Sequence, residues 1–237
     1  MSRALPTRIS LPVIFGVAFA TGFTGAVVPG SLLAVVVRET LRFGWTAGPL
    51  LMVGHALLEL VAVILLATGL IRFVRARGLQ ALIGGLGAAV LIYLGYGTLC
   101  YSPDDAVRAL SAAGAAGGAG ATGLLALIGL GAVMSMANPY WWLWWATICP
   151  THIAWAVGRG RVGGGVYYVG HILSDVVWYS AVSIALAVAA DRAVLSPRLL
   201  QGIYLGAGVF LVAMGLVFLV AAARTLWRRE SALAVEG

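Results

Sequence analysis

Six long apolar segments constrain this chain more than any other feature of its sequence. They cover roughly residues 11–36, 46–70, 79–100, 121–148, 163–189 and 199–223. Each is long enough to supply the 20 or so residues that a helix needs to cross the hydrocarbon of a bilayer. None alternates apolar and polar residues with a period of two, so the segments predict helices and not the strands of a barrel.

The composition leaves little room for a soluble part. Of the 237 residues 62% are apolar and only 10% are charged, whereas about 25% are charged in soluble domains. This excludes a soluble enzyme and a disordered chain, and too little polar surface remains for helices that lie flat on a membrane. We predict an all-α integral membrane protein in which residues 1–237 form one six-helix transmembrane domain.

The positive charge indicates a lipid partner and no nucleic-acid partner. The net charge is +7 and every basic residue is an arginine. The arginines stand in short runs between the apolar segments, as anchors at an anionic lipid surface do. With six spans, the side that holds both termini carries Arg3, Arg8, Arg72, Arg75, Arg77, Arg159, Arg161, Arg224, Arg228 and Arg229. The other side carries Arg38, Arg42, Arg108, Arg192 and Arg198.

This asymmetry predicts cytoplasmic termini and a multi-pass protein of the cytoplasmic membrane. Arg38 and Arg42, in the predicted loop after the first span, argue the other way. Cys100 and Cys149 end the third and fourth segments, on opposite membrane faces about 30 Å apart. Because a disulfide needs Cα atoms within about 7 Å, we predict two free cysteines.

The chain contains an internal repeat of three helices. A Gly/Ala-rich linker at about 101–120 separates repeat 1, at about 11–100, from repeat 2, at about 121–223, with a short tail at 224–237. The pattern Gly-His-x-Leu-x-acid-x-Val begins at Gly54 and again at Gly170. A unit with an odd number of spans leaves the membrane on the side opposite its entry, so its copy is inverted. Inverted repeats are typical of secondary transporters, which bind their cargo near the midplane between the halves.

Each repeat also interrupts its first apolar segment. Pro29-Gly30 breaks the first segment, and Asn138-Pro139 breaks the fourth. Proline removes a donor from the helix ladder, and the N–H groups at the start of the new half-helix suit a carboxylate. A simple kink is the alternative, although paired breaks at matching positions favour a functional role.

Four ionisable residues in the second and fifth segments are candidates for a site. His55 precedes Glu59 by four residues and His171 precedes Asp175 by four, so each pair shares one helix face. Charged residues are costly at this depth and often mark transport paths. Three interpretations remain open: a substrate or proton site, a divalent transition-metal site made of the four side chains, and a structural pair that locks two helices together.

An aromatic run follows the second break, and no catalytic set is present. Tyr140-Trp141-Trp142-Leu143-Trp144-Trp145 predicts either an interfacial belt or a cavity wall that includes Tyr140 and Trp144. The sequence holds no Gly-x-Ser-x-Gly, no lysine for a phosphate loop and no Cys-x-x-Cys. We therefore expect neither an enzyme nor a bound cofactor.

These motifs together resemble the LysE/RhtB family of small amino-acid exporters. The resemblance rests on TGAVVPGSLL at 24–33, AGPLLMVGHALLEL at 47–60, NPYW at 138–141 and GHILSD at 170–175, and it runs from about residue 10 to 220. It implies a six-helix carrier that exports amino acids or similar metabolites by proton-linked antiport. Two departures leave the metal interpretation open: the family usually has Pro-Gly-Pro where Ser31 follows Gly30, and Asp without a preceding His where Glu59 follows His55.

The resulting hypothesis assigns roles to nine residues. The breaks at Pro29, Gly30, Asn138 and Pro139 bind the carboxylate of an amino acid, and Tyr140 beside them belongs to the wall of the substrate cavity. Glu59 and Asp175 pair with its ammonium or carry a proton, tuned by His55 and His171. Divalent-metal export and a non-transporting structural role remain the alternatives. A homodimer is one option for an oligomeric state that the sequence leaves open.

Overall fold

The described part of the chain is entirely helical. The computed structural model describes residues 9–28, 30–68, 77–100, 121–138, 141, 144–145, 149–191 and 196–236. Within these ranges it has no strand and the following helices: α1 Leu11–Ala26, α2 Ser31–Phe43, α3 Ala47–Ala67, α4 Arg77–Leu99, α5 Ala121–Ala137, α6 Cys149–Val157, α7 Gly160–Asp191 and α8 Pro197–Glu236. The predicted all-α class is confirmed for these ranges. The linker at 101–120 lies outside them.

Several helices are long and apolar enough to cross a membrane. Of the described helices, α3, α4, α7 and α8 each contain such a stretch, and α1 with α2 makes a fifth if the bent pair counts as one span. α5 is apolar over Gly123–Ala137 but shorter. The chain is thus a multi-pass membrane protein. Cys100 is exposed, Cys149 is buried, and both are free as predicted.

The first predicted span is divided, and its second half is longer than expected. α1 ends at Ala26, α2 begins at Ser31 after the extended residue Gly30, and the two helix axes are bent by 75°. α2 then continues to Phe43 and ends at Gly44, whose φ of +77° favours glycine. The predicted end at residue 36 was therefore wrong by about two helical turns.

Arg38 and Arg42 consequently lie in a helix, which corrects their assignment to a loop. Arg38 pairs with the neighbouring carboxylate of Glu39, and its Nε donates to Thr98 Oγ1 at 2.8 Å. Arg42 lies 3.3 Å from the other carboxylate oxygen. This pairing explains why Glu39 can be buried within an apolar helix bundle. It also weakens the one argument from loop charge against cytoplasmic termini.

Helix pairs from the two halves of the chain pack along each other. α4 packs against α8, α1 against α7, and α3 against both α5 and α7. The backbones of α3 and α5 approach so closely that a Cβ built on Gly54 would overlap the carbonyl of Ile128. On α7, a Cβ on Gly170 would lie 2.8 Å from the carbonyl of Phe15 on α1. Small residues allow such close approach inside a bilayer.

Candidate functional site

A cavity of about 260 Å³ lies between the two halves of the chain. It is lined by Gly22, Gly25, Ala26, Val28, Gly30, Leu32, His55, Glu59, Ser135, Asn138, Trp141, Trp144, His171, Asp175, Tyr179 and Met214. Six of the nine predicted site residues are among them: Gly30, His55, Glu59, Asn138, His171 and Asp175. The other three, Pro29, Pro139 and Tyr140, lie outside the described residues.

The α3 pair lies on one face of the helix, as its spacing requires. His55 and Glu59 are one turn apart, and His55 Nε2 lies 3.1 Å from Glu59 Oε1. Both are buried, at 4% and 2% exposure. A carboxylate so far from water needs compensating donors or cations. The nearest ionisable side chain is His55 on its own helix.

The α7 pair meets the α3 pair where the two helices pack together. His171 Nε2 lies 3.5 Å from the same Glu59 Oε1. Asp175 is also buried. Within 4.8 Å of one another lie one carboxylate oxygen of Asp175, one carboxylate oxygen of Glu59 and one ring nitrogen of His55. The four ionisable residues thus form one cluster, which we call the His/carboxylate cluster.

A serine of α5 orients the His55 ring. Ser135 Oγ donates to the carbonyl of Gly131 at 2.8 Å and lies 2.6 Å from His55 Nδ1. A hydroxyl has one proton, so in this arrangement Nδ1 must be the donor to Ser135. Nε2 then presents its lone pair to Glu59 Oε1 unless a further proton or cation lies between them.

Two carboxylate oxygens in the cluster have no hydrogen-bond partner. Among the described residues, no donor reaches Glu59 Oε2 or Asp175 Oδ2, and both atoms are buried. Leaving a charged oxygen buried and unpaired is costly. Both oxygens are thus available to accept a hydrogen bond or to contact a cation in the cavity.

Aromatic side chains surround the cluster. Trp141 Nε1 donates to Glu59 Oε1 at 3.4 Å. The His171 ring lies 5.1 Å from the Trp145 ring in an edge-on arrangement and 6.0 Å from the stacked ring of Tyr167. The Trp144 ring lies beside α1, where a Cβ added to Gly25 would be in van der Waals contact with it at 3.4 Å. At least Trp141 and Trp144 of the aromatic run thus line the cavity.

One described residue of each helix break lines this cavity, Gly30 and Asn138. Gly30 is the N-cap of α2 and has no side chain with which to cap it. A Cβ built on Gly30 would lie 3.9 Å from Asn138 Nδ2, at the end of α5. The cavity therefore has the start of α2 and an amide at one place, and buried carboxylates and imidazoles at another.

The structure adds residues that the sequence interpretation did not assign. Ser135 and Tyr179 line the cavity, and Glu39 is a third buried acid. Ser135 lies one turn before the Asn138-Pro139 break, so its position could have suggested a role. Glu39 was missed because the first segment appeared to end before it. Met214 of α8 carries no distinguishing sequence signal.

A family model for the LysE type translocators matches residues 23–222. In searches of curated proteins and of solved structures, nothing matches the chain. The matched stretch covers most of the chain and includes both helix breaks and the whole His/carboxylate cluster. The chain belongs to the LysE type translocator family.

Proposed function

We propose that this protein is a secondary transporter that exports amino acids or related small metabolites across the cytoplasmic membrane, coupled to protons. The observation that carries the proposal is the single cavity that collects a buried His–carboxylate pair from each half of the chain, next to both helix breaks. Family membership supports transport in general.

An inverted repeat of two three-helix halves is supported by the packing of the helices. We assign α1–α4 to repeat 1 and α5–α8 to repeat 2, and count α1 with α2, and α5 with α6, as one broken span each. Exchanging the halves then turns the α1–α7 contact into the α5–α3 contact. Both contacts are present. The α3–α7 and α4–α8 contacts map onto themselves under the same exchange. Such symmetry would let the cavity open alternately to the two sides of the membrane when the halves rock.

The charges of the cavity match those of a zwitterion. The start of α2 is a favourable place for a carboxylate, and Asn138 lies beside it. Glu59 and Asp175 provide acceptors for an ammonium, including the two oxygens without partners. Trp144 and Tyr179 add aromatic surface, which suits either a cation or an apolar side chain.

Proton coupling follows from the exchange of one positive charge for another. A proton delivered to the His/carboxylate cluster from outside would remove a negative charge and release the ammonium. On the cytoplasmic side, loss of that proton would restore the site for the next cargo. Because each half contributes one pair, rocking of the halves would move the cluster as the access changes.

Efflux from proteoliposomes tests this proposal. We expect Glu59→Gln and Asp175→Asn each to abolish proton-driven amino-acid efflux while the protein still inserts, because each removes a cation acceptor. Glu230→Gln is the matched control, since it removes an acid from the end of α8 beyond the apolar stretch Gln201–Thr225. Full efflux in both cavity variants would contradict the assignment. Absence of flux in the unmodified protein, with only stability changed in the variants, would favour a structural role.

A thermal-shift panel identifies the cargo. A ligand that binds only the native state stabilises it by about 2.7 kcal/mol at 100 times its Kd. We expect one chemical class among the standard L-amino acids to raise the melting temperature of the detergent-purified protein. The shift should disappear in Asp175→Asn and persist in Glu230→Gln.

A further inference from the structure

The His/carboxylate cluster has the chemistry of a metal site as well as that of an ammonium site. From the geometry, we infer that His55, Glu59 and Asp175, with His171 as a fourth ligand, bind a divalent transition-metal ion such as Zn²⁺, Co²⁺ or Ni²⁺. The site lies in the cavity that the proposed function uses, but the inference concerns binding and does not require that the ion is the cargo.

The positions of the ligand atoms are close to those that one ion needs. One atom from each of His55, Glu59 and Asp175 lies within 4.8 Å of the others. Two ligands at 2.0–2.2 Å from one tetrahedral ion lie about 3.3–3.6 Å apart. The most widely spaced pair must therefore approach by about 1 Å to close the set. His171 Nε2, 3.5 Å from Glu59 Oε1, is near enough to join it.

The hydrogen bond of His55 is the one expected behind a metal ligand. Metal-binding histidines usually donate their other ring N–H to a fixed acceptor, which orients the ring and selects the tautomer. Here the Ser135 hydroxyl accepts a hydrogen bond from Nδ1 and donates one to the carbonyl of Gly131. The Nε2 lone pair then faces Glu59 Oε1 at 3.1 Å. Two acceptors at this distance need a proton or a metal cation shared between them.

The charge and polarity of the cavity favour a divalent ion. Two carboxylates are buried here with one oxygen each lacking a donor among the described residues. A divalent ion would compensate both charges at once. Two imidazoles with two carboxylates suit borderline transition metals, whereas Mg²⁺ and Ca²⁺ prefer oxygen ligands alone. Among the described residues that line the cavity there is no arginine or lysine to repel the ion.

Calorimetric titration of the detergent-purified full chain, without a polyhistidine tag, tests the inference. Zn²⁺, Co²⁺ and Ni²⁺ are the probes, and Mg²⁺ is the control ion. We expect one transition-metal ion to bind per chain, and Mg²⁺ not to compete. Loss of a ligand in His55→Gln or Asp175→Asn should weaken binding by about 100-fold or more, and Ser135→Ala by about 10- to 100-fold.

The third histidine supplies the matched control. His152 lies on α6, its ring is 5.3 Å from the Trp155 ring, and it does not line the cavity. His152→Gln should leave the affinity unchanged. The absorption spectrum of bound Co²⁺ provides a second readout: it should lack the thiolate-to-metal charge-transfer band, because no cysteine is in the ligand set.

The outcomes separate this inference from the proposed function. Affinity that is the same in His55→Gln, Asp175→Asn and the unmodified protein would overturn the metal site, as would loss of binding in His152→Gln or no binding at all. Folding of each variant is checked by its helical circular dichroism and its elution volume. A thermal shift with an amino acid, together with no binding of any metal ion, would overturn only the metal site. Cavity-dependent metal binding without any amino-acid response would support the site and contradict amino acids as cargo.

Discussion

Single buried hydroxyls determine how the polar side chains of this protein are arranged. Ser135 selects the orientation of His55 in the cavity. Ser183 has a comparable role outside it: its hydroxyl donates to the carbonyl of Trp45 at 2.8 Å and accepts from the N–H of Gly48 at 3.2 Å. Thr40 Oγ1, at 2.7 Å, must therefore be a donor to Ser183. One side chain of α7 thus holds α2 and the start of α3 together.

Replacing Ser183 should destabilise the contact between the two halves. Ser183→Ala leaves two buried groups, Thr40 Oγ1 and the N–H of Gly48, and the part-buried carbonyl of Trp45 without this partner. A buried polar group without a partner costs about 1–3 kcal/mol. We expect a lower melting temperature in detergent. Ser180→Ala, on the same helix but partly exposed, should change stability by less than about 0.5 kcal/mol. Equal melting temperatures for the two variants would show that the Ser183 network is dispensable.

At the scale of helices, the repeated Gly-His motif combines packing with chemistry. Its glycine forms the close contact with a helix of the other half, and its histidine and acid face the cavity one turn apart. Gly54 does this on α3 against α5, and Gly170 does it on α7 against α1. The motif thus places the ionisable residues at the interface because the glycine brings the backbones together there.

Adding a methyl group at Gly54 should separate α3 from α5. In Gly54→Ala the new Cβ would overlap the backbone carbonyl of Ile128, and backbone cannot move aside as a flexible side chain can. We expect a loss of about 1–3 kcal/mol of stability and loss of ligand binding. Gly129→Ala is the control on α5, because nothing lies within 4 Å of its added Cβ. Thermal unfolding that is unaffected by Gly54→Ala would contradict the close contact.

The described helices also show where the length of an apolar segment predicts the wrong number of helices. The run from residue 11 predicts one span, whereas the chain forms two helices bent by 75°. The break itself could be predicted from Pro29-Gly30. The length of α2 could not, because Arg38 and Glu39 are expensive in lipid unless they pair. A further contact of Arg38 comes from a helix that is distant in sequence, because its Nε donates to Thr98 on α4.

At the scale of the whole molecule, the orientation in the membrane remains a prediction with a direct test. If six spans leave both termini in the cytoplasm, Cys100 after α4 lies on the outer side. It is exposed, while Cys149 is buried. A membrane-impermeant maleimide should therefore label this protein in intact cells, and the Cys100→Ser variant should not be labelled. Labelling of the unmodified protein only after the membrane is opened would place the termini outside.

The sequence by itself determined the membrane class, the helical fold, the two breaks and the placement of His55 with Glu59, and of His171 with Asp175, on one face of a helix. These are local properties, since apolar length, proline chemistry and a spacing of four residues act within one segment. Only the tertiary structure decided that both pairs share one cavity, that Ser135 orients His55 and that Glu39 is buried. The reason is that these features depend on contacts between helices far apart in the chain, whose positions are set by the close packing at Gly54 and Gly170.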